Sequence, residues 1–264
     1  MRWLLKSMAQ NVFAVLPAGH RINHLFQGNT NARLIPGHLE QLKRLQPILT
    51  GKMKTAVEIG TGWCPTIPLG LTVRGITVHS YDHLRHVTPA AISASQHATG
   101  GDWSKVHYHA PGDGTATGLP DDSVDLHFSI AVFEHIPREI IIGLLAEAYR
   151  ILKPGATLYH EIDLRDHFAE FDRSITTVNF LKFSDRTWKV IGQNKIQYHN
   201  RLRASDFRTL FCDAGFEIVS LEARTDERAA SALTQMHLSP RFGGYERSDL
   251  AVSVIDVIAQ KPNS

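Results

Sequence analysis

The chain carries one short run in which residue types and spacing could do chemistry: Glu58-Ile59-Gly60-Thr61-Gly62, at the point where the apolar segment TAVEI gives way to a turn. Glycines let a backbone turn sharply and approach a ligand closely, and amides at the start of a following helix meet negative charge. An amino-acid carboxylate would suit them. Asp82 closes the apolar segment ITVHSYD, 20 residues beyond Gly62, the distance at which nucleotide-binding folds place an acid on an adenosine ribose. Gly60, Gly62 and Asp82 together fit a nicotinamide dinucleotide and a sulfonium cofactor equally. Glu58 discriminates, because its charge attracts the cationic amino-acid portion of a sulfonium cofactor and repels a pyrophosphate. The third glycine of the dinucleotide pattern is also missing, and Trp63 and Cys64 hold its place.

A second concentration of polar groups is HEIDLRDHF, in which His160, Asp163, Arg165, Asp166 and His167 follow an apolar strand. These side chains are expected at the mouth that receives a second substrate, and His167 with Asp163 is the candidate for proton transfer. Glu134 and His135 read as caps for a helix beginning near Pro137. The 15 histidines raise the question of a metal: His107 and His109 share a strand face and His83 and His86 lie one helical turn apart, both workable ligand spacings. Spacing indicates no third ligand, so no metal is expected and the histidines read as solvated or hydrogen-bonded.

The elements around these residues alternate. From Lys54 run a strand, the glycine turn, a helix from near Pro65, the strand from Ile76, a helix over 89–97 and a strand over 106–110. A loop rich in glycine and aspartate leads to the strand Val124 to Ile130. There follows a long helix with an apolar stripe of Ile140, Ile141, Leu144, Leu145, Ala148, Ile151 and Leu152, stopped at Lys153-Pro154-Gly155 before the strand ATLYHEID. Five strands in alternation with helices predict an α/β, doubly wound, mostly parallel sheet covered on both faces. Residues 164–203 read as an insertion whose Phe168, Phe171, Phe180, Phe183, Trp188 and Tyr198 would wall an acceptor pocket or form a lid, the alternative being a small core of the insertion's own. Ser205 is expected to cap a helix that ends at Gly215. The two last strands, over 216–221 and 250–259, predict an antiparallel pair at the sheet edge joined by a connector without a helix stripe, for seven strands in all.

Residues 1–50 form a helical preface or lid, and 51–264 the main domain. With 43% hydrophobic and 20% charged residues and a net charge of +2, the chain has the composition of a soluble globular protein and no basic track for nucleic acid. Cys64 and Cys212 make neither a disulfide framework nor a zinc knuckle, consistent with a reducing cytoplasm. Leu4, Met8, Val12, Val15 and Leu16 fall on one helical face, which predicts a helix packed on the domain. The alternative for residues 1–16 is peripheral contact with a membrane surface.

Taken in order, ExGxG, the acidic end of the second strand, LPDDSVDLHFSIAVFEHI, EAYRILKPGATL and AGFEI resemble a class I S-adenosylmethionine-dependent methyltransferase, over about residues 54–260. The resemblance implies that Glu58, Gly60, Thr61 and Gly62 meet the methionine part of S-adenosyl-L-methionine and Asp82 the ribose. Asp113 with Gly114 would meet the adenine edge, and Ala131 and Val132 would lie beneath the cofactor. Cys64 stands where the family often has a third glycine, and the interval from Asp113 to Leu119 is longer than usual. Methyl transfer from a sulfonium is an in-line displacement in which positioning and exclusion of water do much of the work. A base is needed only for an acceptor that must lose a proton. The expected acceptor is a small molecule or sugar methylated on oxygen. The alternatives are a binding protein on a degenerate methyltransferase fold and a nicotinamide-dependent oxidoreductase.

Overall fold

Two helices, α1 (Arg2–Phe13) and α2 (Asn31–Leu45), precede the first strand in the computed structural model, which describes residues 2–13, 15–16, 19, 31–193, 196 and 198–263. The alternation follows as β1 (Thr55–Ile59), α3 (Thr66–Thr72), β2 (Thr77–Tyr81), α4 (Pro89–Thr99), β3 (Val106–His109), β4 (Val124–Ile130), α5 (Arg138–Ile151) and β5 (Leu152–Asp163). The insertion contributes the short helices α6 (Phe168–Phe171) and α7 (Asp185–Ile191). The chain continues through α8 (Ala204–Asp213), β6 (Glu217–Thr225), α9 (Glu227–Leu233), α10 (Arg247–Leu250) and β7 (Val252–Gln260).

Among the described residues seven strands make one sheet in the order β3-β2-β1-β4-β5-β7-β6. Pairings among β1 to β5 are parallel, and β7 runs antiparallel to both of its neighbours. Strand order reverses between β1 and β4, so the carboxyl ends of these strands open onto the crevice where such sheets bind ligands. β1 is buried from Ala56 onward because helices cover both faces of the sheet; Ala56 and Val57 are wholly buried, and Glu58 is the one charged residue in the strand. On α5 the side chains of Ile141, Leu144, Leu145, Ala148 and Ile151 enter the core, each large one worth about 1.5–3 kcal/mol. Ile140, expected in that stripe, faces outward. β5 begins at Leu152, so Lys153-Pro154-Gly155 lies inside the strand rather than before it. The ladder jumps from Val124–Leu152 to Leu126–Thr157, a bulge that leaves Pro154 outside the hydrogen bonding.

Several local expectations are corrected. Pro36 lies inside α2 beyond its first turn, where the helix forgoes one backbone hydrogen bond. The residue flanking α8 is Arg203, whose N–H donates to the Asp206 carboxylate (2.8 Å), while Ser205 lies in the helix and donates its hydroxyl to Asp249. The connector between β6 and β7 holds α9, capped by Asp226, which accepts from Arg228 and Ala229 N–H. His83 and His86 occupy a loop, and the His86 ring lies 4.3 Å from that of Trp63. His107 and His109 do share a face, where both rings stack on His79.

The N-terminal helix packs on the domain as expected, but of the expected apolar face only Leu4 reaches the core. Trp3, Ser7 and Gln10 are buried, whereas Met8, Val12, Val15 and Leu16 are exposed. One large ring decides the orientation: Trp3 enters a second core with Phe168, Phe180 and Trp188, its ring centroid 5.5 Å from that of Phe168. The aromatics of 164–203 are thereby used as a core shared with α1, not as the walls of a pocket; Phe171 alone among the large ones is exposed. Among the described residues no helix is long and apolar enough to cross a membrane.

Candidate active site

The ends of β1 and β4 interlock at the glycine turn. Gly60 has φ +80°, and a Cβ there would stand 2.6 Å from Cγ2 of Val132, so both conformation and space require glycine. Val132 is aimed by Ala131, a non-glycine residue at φ +54° whose N–H donates to the Glu161 carbonyl (2.9 Å). A left-handed alanine costs on the order of 1–2 kcal/mol, a strain of the kind that collects at ligand sites. Gly60 N–H donates to the Tyr81 carbonyl (2.8 Å), tying the turn to β2 as well.

Glu58 is 4% exposed, and its Oε2 accepts from the Thr61 hydroxyl (2.8 Å) and the Ser80 hydroxyl (2.7 Å). Both recorded bonds use the same oxygen, which leaves Oε1 for a ligand. Burial pushes the Glu58 carboxyl up to about 7 against the pull of the two hydroxyls. Ser80 was missed in the sequence; the signal was a lone hydroxyl within an apolar strand, directly opposite Glu58 in register. Gly62, at φ +67°, donates its N–H to Asp82 Oδ2 (2.8 Å), and Oδ1 takes Leu84 N–H at 3.4 Å. Burial raises Asp82, partly offset by these N–H donors. This acid therefore shapes the turn from across the crevice.

Asp113 is exposed, and its Oδ1 accepts both the N–H (2.8 Å) and the hydroxyl (2.7 Å) of Thr115, a local turn bond. Its loop still reaches the crevice, because Gly112 N–H donates to the Asp82 carbonyl (2.8 Å), and a Cβ on Gly114 would meet Ile59 and Leu144 at 2.8 Å. Glu58, Gly60, Thr61, Gly62, Asp82, Gly114 and Ala131 thus gather around the carboxyl ends of β1, β2 and β4.

Beside them, after β4 and β5, lies a polar cluster. Asp163 is clamped by Arg165, whose Nε donates to Oδ1 (2.9 Å) and whose Nη2 donates to Oδ2 (2.6 Å), and His167 Nε2 stands 3.5 Å from Oδ2. Burial works to raise Asp163, but His167 and Arg165 hold it well below the usual carboxylate range. His167 rises above the ordinary imidazole value despite its burial, through Asp163 and Glu134. Two of the expected mouth residues are elsewhere. His160 is wholly buried, its Nδ1 2.6 Å from the Ser129 hydroxyl and its ring 4.1 Å from Phe133. Asp166 faces inward to Phe168 N–H (3.0 Å), its carboxyl pushed up to about 6 by burial.

Glu134 and His135 do not cap α5, whose N-cap is Pro137 with no side-chain bond. Glu134 is wholly buried with neither oxygen hydrogen-bonded, and burial pushes it up to about 8. The His135 ring lies 5.0 Å from His167 and 5.9 Å from His199, and the latter two are 5.1 Å apart. Desolvation by the surrounding protein, with His167 beside it, brings the partly exposed His135 down to about 4, and burial takes His199 well below its ordinary value. His199 gave no sequence signal, since it reaches the cluster from the far end of the insertion.

Residues 70–160 match the family model described as a methyltransferase domain, a stretch from α3 to His160 that contains Glu134 and His135 but begins beyond the glycine turn. No curated protein matches the sequence. Among solved structures, a Bacillus halodurans protein assigned as a methyltransferase is 19% identical over 84% of this chain and 99% of its own, with a TM-score of 0.51. Phosphoethanolamine N-methyltransferase 2 of Haemonchus contortus, bound to S-adenosyl-L-methionine, is 18% identical over 84% of this chain and 52% of its own, with a TM-score of 0.55. A Listeria monocytogenes protein assigned as an S-adenosylmethionine-dependent methyltransferase is 14% identical over 86% of this chain and 98% of its own, with a TM-score of 0.52. At these identities the likeness is one of fold.

Proposed function

We propose that the chain is a class I S-adenosylmethionine-dependent methyltransferase that methylates a hydroxyl oxygen of a small molecule or sugar. Glu58, Gly60, Thr61 and Gly62 hold the amino-acid end of the cofactor, Asp82 its ribose and the 113–114 loop its adenine, with Ala131 beneath. The acceptor enters beside β4 and β5. The observation that carries the hydroxyl reading is the cluster of Glu134, His135, Asp163, His167 and His199 at that place. A sulfonium leaves as a neutral thioether and needs no proton, so polar groups on the acceptor side serve the acceptor. A hydroxyl must lose its proton to become a good nucleophile, and His167, whose hold on a proton is strengthened by Asp163, is placed to receive it. An ammonium acceptor would meet no unmatched negative charge, because Arg165 already neutralises Asp163 and burial favours a neutral Glu134. The aromatics of the insertion are taken up in a core, which leaves recognition to polar groups and suits a hydroxylated acceptor.

Incubating the full-length chain with S-adenosylmethionine and matched panels of glycosides, phenols and amines tests this through the S-adenosylhomocysteine formed. Turnover is expected on a hydroxylated compound and not on its amine counterpart. His167→Ala is expected to lower kcat about 100-fold while binding of S-adenosylhomocysteine stays intact. Preference for the amine, or full activity of His167→Ala, refutes the proposal.

A further inference from the structure

Glu134 poses a problem that the hydroxyl reading leaves unsolved: a carboxyl with no exposed surface and no hydrogen bond to either oxygen. Leaving such a group unmatched is costly, and the usual remedies are a donor, a counter-charge or a cation. The donors near it among the described residues are the backbone N–H groups of Glu134 and Asp163, neither of which reaches hydrogen-bond geometry, and imidazole rings face it. One ligand atom each from Glu134, His135 and His167 lies within 4.8 Å of the other two. The His135 Nδ1 is 2.8 Å from the Tyr198 carbonyl, which can only accept, so Nδ1 carries the proton and the Nε2 lone pair is free, 3.9 Å from Glu134. A backbone carbonyl behind one ring nitrogen is the arrangement that fixes a metal-bound histidine. His167 Nε2 likewise has no bond of good length; its nearest recorded partner is Asp163 at 3.5 Å, an acid already satisfied by Arg165.

We propose that Glu134, His135 and His167 bind a divalent cation of the zinc, manganese or iron(II) type at the carboxyl ends of β4 and β5, with open positions for the acceptor oxygen. Two imidazoles and one carboxylate form a donor set suited to these borderline ions and too rich in nitrogen for magnesium or calcium. His135 is 38% exposed and gives the ion a way in from solvent. His199 completes the shell as a donor: its Nδ1 accepts Arg201 N–H (3.3 Å), so Nε2 bears the hydrogen, is otherwise unpartnered and can bond an oxygen on the ion.

The inference deepens the hydroxyl-acceptor reading and rests on it only for what the ion is for. His167 then acts through the cation and does not itself receive the proton. A hydroxyl bound to the ion releases its proton to bulk water, as metal-bound water does near neutral pH. The resulting oxygen anion attacks the methyl carbon of S-adenosylmethionine; the C–O bond forms as the C–S bond breaks, and the sulfur keeps the electron pair in neutral S-adenosylhomocysteine.

The test is calorimetric titration of the untagged full-length chain, stripped with EDTA, with ZnCl2 and with MnCl2, and metal analysis after desalting. One equivalent is expected to be retained. Glu134→Gln and His167→Ala are expected to weaken it 10- to 100-fold, while a variant altered at both His107 and His109 keeps it. Unchanged S-adenosylhomocysteine binding and melting temperature show that the variants are folded. No retained equivalent, or equal affinity in wild type and both cluster variants, overturns the cation site. Hydroxyl methylation undiminished by EDTA overturns it too and leaves the hydroxyl reading intact. A retained ion with methylation confined to amines supports the site and refutes the hydroxyl acceptor.

Discussion

Lowering the pH from 8 to 6 should weaken S-adenosylhomocysteine binding through protonation of Glu58. In the empty crevice Glu58 protonates at about 7 because burial disfavours its charge. An ammonium placed on Oε1 supplies the missing counter-charge and keeps the group ionised when the ligand is bound. Affinity then follows the ionised fraction of the empty protein, which is about nine-tenths at pH 8, half at pH 7 and a tenth at pH 6. The sign follows: ligand binds the deprotonated form, so Kd rises as pH falls, by about tenfold over the two units, or about 1.4 kcal/mol. Calorimetry in two buffers of different ionisation enthalpy reads the same event directly, with about 0.9 proton released on binding at pH 6 and about 0.1 at pH 8. Asp82 is also raised, and Glu58→Gln separates the two, since it should bind more weakly at pH 8 and lose the slope. A wild-type Kd that is flat between pH 6 and 8, or a slope that survives in Glu58→Gln, refutes the reasoning.

Two further substitutions probe the frame around that acid. Gly60→Ala places a methyl group on Val132 and forces φ +80° on a residue with a Cβ; it should cost about 1–3 kcal/mol of stability in thermal unfolding and abolish cofactor binding, and wild-type affinity would contradict the interlock. Trp3→Ala empties the shared core of α1 and the insertion and should cost about 3–5 kcal/mol. A melting temperature within a degree of wild type would show that α1 is not held by that ring.

Periodicity sufficed where one rule acted alone. The alternation from Lys54, the stripe of α5 and the acid-glycine turn with Asp82 all appear in the structure at the expected ends of strands. Misreadings came where a distant partner chose between local options. α1 has a respectable apolar face, yet a single Trp ring with Phe168 and Trp188 to meet outweighs Met8 and Val12, and no local pattern says so. Glu134 and His135 precede Pro137 just as caps do, and only the arrival of His167 and His199 from the insertion makes them a cluster. His160 has the chemistry of a mouth residue, but strand alternation turns it into the core against Phe133 and Phe211, while Asp163 at the strand end is the residue that reaches the crevice.

The place of β7 has a consequence for how the molecule comes into being. Among the described residues every other strand precedes β7 in the chain, yet β7 lies between β5 and β6 and is the one partner of β6 in the sheet. During synthesis β1 to β5 can associate as each emerges, while β6 waits with an unpaired edge and β5 stays open on one side. An exposed edge is an invitation to the wrong partner. Completion depends on residues 252–260, so the nascent chain carries its acceptor-side strand β5 uncovered until the last strand slots in, and the β5 edge is the place where a ribosome-bound intermediate most needs protection.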